Sequence, residues 1–145
     1  MIKKWINFNE SVDNVVFDGV DFGIERYMLD NILIDIYDEF PGIYMDLMSI
    51  SSFKTYFSEC SSGDFDIKKF ESNIDKGGPK FVILLDKPSS DTDTWSNKET
   101  VYFLEPKIWD ILDNIDGLLS QYGLRIWDRD FFYADCEYYI IIEKI

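Results

Sequence analysis

Between Glu105 and Gly123, apolar residues recur at Ile108, Ile111, Leu112, Ile115, Leu118, Leu119 and Tyr122. Spacing of i, i+3, i+4, i+7 lays a single stripe along a helix, and the other side of that helix carries Asp110, Asp113, Asn114, Asp116 and Gln121. Pro106 stands near the start, where a missing N–H costs nothing, and Gly123 just past the end, where a left-handed cap is easy. Gly117 is the one flaw, costing about 1 kcal/mol relative to alanine. The runs on either side, Glu99–Leu104 and Leu124–Asp128, read as strands, so the pattern here is strand, helix, strand.

The rest of the chain follows by the same reasoning. Lys3–Phe8 opens it as a short strand or a helical turn. Val15–Phe22 is rich in β-formers and broken by Asp18-Gly19, which signals a tight turn or a bulge. Ile24–Phe40 fits two templates. Ile24, Met28, Ile32, Ile36 and Phe40 form a helical stripe ending before Pro41-Gly42, whereas Ile32–Tyr37 also suits a buried strand; length favours the helix. Ile43–Ile50 reads as a strand. Ser51-Ser52 is placed to cap a helix running to Cys60, and Asp64 to cap another through Ile74. Gly77-Gly78-Pro79 is the strongest punctuation in the chain. Lys80–Asp86 and Tyr138–Ile142 have the form of strands buried on both faces; Lys87–Lys98 is a long polar loop, and Arg129–Asp135 turns the chain. Strands apolar on both faces need layers on both sides. The expected fold is α+β, one domain over residues 1–145, with a central mixed or mostly antiparallel sheet and helices packed on it.

Composition narrows the function. Apolar residues make up 46% of the chain, enough for a packed core. The formal net charge of −14 exceeds the magnitude of about 2–8 usual for a small domain. It disfavours nucleic acid and anionic membranes as partners and favours a basic protein. Cys60 and Cys136 make no disulfide framework and are expected as free thiols in a reducing compartment. The start, MIKKWINFNESVD, lacks the apolar core of a signal peptide, and no apolar run reaches membrane-spanning length, so a cytoplasmic location is expected.

The chain has no histidine, which removes Ser-His-Asp and Cys-His nucleophile arrangements and the usual zinc sets. Asp64/Asp66, Asp91/Asp93 and Asp128/Asp130 are alternate carboxylates of the kind that hold Mg²⁺ or Ca²⁺ on loops. Asp91-Thr92-Asp93 begins like a calcium loop, then fails: Trp95, Ser96 and Tyr102 stand where a ligand, the turn glycine and the terminal glutamate belong. No catalytic residue, cofactor site or metal site is assigned, and the expectation is a non-enzyme. Trp95, in a Ser/Thr/Asp loop, is either tucked into the edge of the core or exposed as an aromatic interface anchor.

The charge map is the most directive feature. From Trp5 to Phe53 the only base is Arg26, against ten acids: Glu10, Asp13, Asp18, Asp21, Glu25, Asp30, Asp35, Asp38, Glu39 and Asp46. The helix near the C-terminus repeats the imbalance, with no base between Lys107 and Arg125. A small, acidic, aromatic-rich chain without a catalytic motif resembles the immunity proteins of bacterial toxin systems, including those of contact-dependent growth inhibition. The resemblance implies tight binding to a cognate toxin, often a nuclease with a basic cleft. The residues expected to make that contact are Asp110, Asp113 and Asp116 on the helix and Asp91, Asp93 and Trp95 in the loop. Two other readings stand beside it: a nucleic-acid mimic that inhibits a defence nuclease, and a carboxylate- or metal-dependent enzyme.

Overall fold

The computed structural model describes residues 13–40, 43–60, 67–86, 97–132 and 137–145. Its organising unit is a four-stranded antiparallel sheet in the order β3-β4-β6-β5, made of β3 (Tyr44–Ser49), β4 (Lys80–Asp86), β5 (Leu124–Phe132) and β6 (Glu137–Lys144). A separate hairpin pairs β1 (Asn14–Phe17) with β2 (Val20–Glu25). The helices are α1 (Arg26–Ile32), α2 (Ile34–Glu39), α3 (Ile50–Cys60), α4 (Ile67–Ile74) and α5 (Asn97–Ser120). The α+β expectation holds, and among the described residues every strand pairing is antiparallel.

β4 and β6 lie at the centre because they have no polar side to offer. Alternation sends Phe81, Ile83 and Leu85 with Tyr138, Ile140 and Ile142 into one core, under the hairpin, α1, α2 and α5. It sends Val82 and Leu84 with Tyr139 and Ile141 into a second core on the opposite face, beside Phe53 of α3 and Ile74 of α4. The hairpin turns at Asp18 (φ 52) and Gly19 (φ 78), both positive as a two-residue type I′ turn requires. Its Phe17 stacks on Phe81, and Phe22 meets Phe81 edge-on at 4.8 Å, which pins the hairpin over the sheet.

Four expectations are corrected. Glu99–Leu104 is not a strand: α5 starts at Asn97, inside the expected polar loop, and runs through Pro106. Val101, Leu104, Ile108 and Ile111 already keep helical spacing, so Pro106 falls inside the helix, where its missing N–H and its ring against the preceding turn cost about 3 kcal/mol. Arg129–Phe132 does not turn the chain but continues β5, an edge strand whose outer positions accept charge. Ile24–Phe40 is helical rather than a buried strand, but not as one helix: Ile24 belongs to β2, and Leu33 separates two short helices. The cap of α3 is Ser49 rather than Ser51 or Ser52, because the Ser52 N–H donates to Ser49 Oγ at 3.0 Å. Replacing Ser49 by alanine is expected to cost about 1 kcal/mol, read by urea denaturation. Expected features at Lys3–Phe8, Asp64, Asp66, residues 87–96 and Cys136 lie outside the described residues.

Candidate functional site

α5 is held to the sheet by Ile108, Leu112, Ile115 and Leu119, all buried. Its rotation follows from that stripe. Asp110 and Asp113 project to the exposed side, whereas Asp116 sits on the flank facing β5. There Asp116 Oδ1 accepts the Ile126 N–H at 2.7 Å. Ile126 pairs with Ile142 of β6, and Lys144, two residues on, donates its N–H to Pro79 of β4. The N–H and C=O of Ile142 therefore point to β4, and the Ile126 N–H points out of the sheet. Asp116 supplies its acceptor. Of the three helix acids expected at an interface, Asp116 is thus employed within the fold.

On the opposite flank of α5, Asn114 donates to Asp35 of α2 at 3.4 Å. This contact joins two acid-rich stretches far apart in sequence. Asp35 and Asp38 on α2 and Asp110 and Asp113 on α5 are all exposed, and Asp110 lies one turn before Asn114 on its side of the helix. Arg26, the lone base between Trp5 and Phe53, is already engaged by Asp30 at 3.2 Å. Asp91, Asp93 and Trp95 lie outside the described residues. Trp109, which was not singled out from the sequence, is 44% exposed and lies under the Arg129 guanidinium at 3.6 Å. The signal was available: 100° spacing puts Trp109 off the apolar stripe, an unusual place for a large aromatic.

A second constellation lies on the opposite face of the sheet. Glu143 and Lys80 are 2% and 6% exposed. Glu143 accepts from Arg125 Nε at 2.6 Å and from the Gly78 N–H at 2.8 Å. Lys80 Nζ donates to the carbonyls of Lys76 and Gly78, lies 3.9 Å from Glu143, and sits over the Trp127 ring. Burial pushes the Glu143 carboxyl up, but the Gly78 N–H, Arg125 and Lys80 outweigh it and hold the group below the usual carboxylate range. Burial pulls the Lys80 ammonium down, opposed by Glu143 and Asp75. Two of the Lys80 ammonium protons are thus donated to backbone carbonyls, and Glu143 supplies the opposing charge.

Beside this network, Phe17, Val20, Phe22, Ile50 and Ile74 wall a cavity of 310 Å³, with Asp18 and Asp75 among its polar residues. That is the lower end of the size of small-molecule sites, about 300–1,000 Å³. Both carboxylates already have partners: Ser51 donates to Asp18 at 2.6 Å and Lys54 to Asp75 at 2.8 Å. Among the described residues no group of three or more Asp, Glu or Cys side chains converges as a metal ion would require, and no helix is long and apolar enough to cross a membrane. No family model, curated protein or solved structure matches the chain.

Proposed function

We propose that the protein is an immunity protein, acting in the cytoplasm, that binds a basic toxin domain and covers its active site with the acidic face shared by α2 and α5. The observation that carries this is the Asn114–Asp35 contact, which sets the exposed acids of two segments side by side. A nuclease cleft is basic because it must hold phosphate, and an acidic cap competes for the same cations. Helix acids on an element anchored by four buried residues lose little freedom on binding. Clustered like charge steers encounter, with association rates towards about 10⁸ M⁻¹s⁻¹ at low salt that fall as salt screens the field.

The test uses immobilised wild-type protein and the variant Asp35→Lys/Asp110→Lys/Asp113→Lys, each exposed to lysate of the native host. Asp116 is left in place because it holds Ile126. The wild type is expected to retain a basic protein and to release it at raised salt. The variant, melting within a few degrees of wild type, is expected to associate with it about tenfold more slowly or worse. Equal capture by both would move the contact away from this face. Retention of no basic protein would remove the reading.

A further inference from the structure

The two edges of the main sheet are not alike. β5 is defended: its register shifts between Ile126 and Asp128, and Asp116 takes the outward N–H of Ile126. β3 pairs with β4 through six consecutive residues, Tyr44 to Ser49, without a bulge, and contains no proline or lysine. The direction of its backbone groups follows from the ladder. Lys144 donates its N–H to Pro79, so odd-numbered residues of β4 point to β6 and even-numbered ones to β3. Tyr44, Asp46 and Met48 of β3, opposite Asp86, Leu84 and Val82, therefore bond to β4. Met45 and Leu47 direct N–H and C=O away from the sheet, where among the described residues β3 has no second neighbour. Exposed strand edges of this kind template a further strand.

We infer that the β3 edge is a docking site for an extended partner segment in which lysine or arginine alternates with apolar residues. Charge complementarity selects this occupant. Between Arg26 and Lys54 the chain carries Asp30, Asp35, Asp38, Glu39 and Asp46 and no base. Asp46 is exposed on β3 and shares its face with Tyr44, which is 63% exposed. A cation on an added strand meets the Asp46 carboxylate and the Tyr44 ring at cross-strand distance. On the other face Met45 and Leu47 are half-buried against the main core, and apolar residues of the added strand extend that core.

The inference rests on the reading of the protein as a binder of a basic partner. Its test is amide exchange, followed residue by residue in the full chain, with the peptide Lys-Val-Lys-Val-Lys-Val-Lys, its glutamate-for-lysine counterpart and a proline-interrupted form. The lysine peptide is expected to slow exchange at Met45 and Leu47 by about tenfold or more, with neither control doing so. Met45→Pro, which removes an outward N–H and spares the β4 ladder, is expected to abolish that protection at Leu47. Equal protection by the glutamate peptide overturns the charge argument. No protection at Met45 and Leu47, or protection already present without peptide, overturns the site; in the latter case dilution tells a second copy from the chain's own segments. Capture of a basic protein without edge protection would sink this inference alone. Edge protection without capture would sink the proposed function alone.

Discussion

Glu143→Ala is expected to destabilise the protein by about 3–5 kcal/mol in urea denaturation at neutral pH, the cost of leaving a buried charge without its partner. The carboxylate is enclosed by groups that depend on it: Lys80, the Gly78 N–H and Arg125. Remove it and the Lys80 ammonium stays buried, 6% exposed, without the carboxylate that lies 3.9 Å away and beside carbonyls and the Trp127 ring. Because the penalty is that of an orphaned charge, Lys80→Met combined with Glu143→Gln is expected to recover much of the loss. The pH dependence has a definite sign. The folded carboxyl lies below its ordinary value of 4.5, so its contribution is whole above 4.5 and is lost as pH falls below it. Wild type and Glu143→Gln are therefore expected to converge in stability on the acid side. If the gap stays constant from neutral pH to pH 3, the carboxylate is not what stabilises this corner.

Phe81→Ala is expected to cost a further about 3–5 kcal/mol, with a fall in Tm on the order of 10 °C. Phe81 is fully buried and meets both Phe17 and Phe22, so its ring joins the hairpin to the sheet. The loss should be uneven: amides of β1 and β2 are expected to lose more exchange protection than those of β5. A uniform loss would mean that the hairpin is held mainly by something else.

What the sequence made legible depended on how local each signal was. Lys80–Asp86 and Tyr138–Ile142 announce central strands because almost every side chain is apolar, and no other position in an α+β fold asks for that. Asp18-Gly19 announces a hairpin because both residues tolerate positive φ. Val101–Leu104 misled because a short β-branched and aromatic run looks like a strand when Pro106 is taken for a helix start. Asp128-Arg129-Asp130 misled because alternating charge marks an edge strand as readily as a turn. At the candidate site, the acidity of both segments was visible, but the contact between Asp35 and Asn114 spans most of the chain and has no local signature. Nor does the employment of Asp116, whose partner is a backbone N–H on the following strand.

The strand order β3-β4-β6-β5 has a consequence for the time at which the protein becomes whole. β4 can pair with β3 as soon as α3 and α4 have closed the connection between them. Its other edge must wait for β6, with all of α5 and β5 intervening. Until then the Phe81–Leu85 run is a half-paired ribbon of large apolar side chains, the kind of segment through which unfinished chains stick to one another. A chain emerging from the ribosome carries that hazard until β6 arrives and closes the gap, so a pause in synthesis between β4 and β6 should favour aggregation over folding.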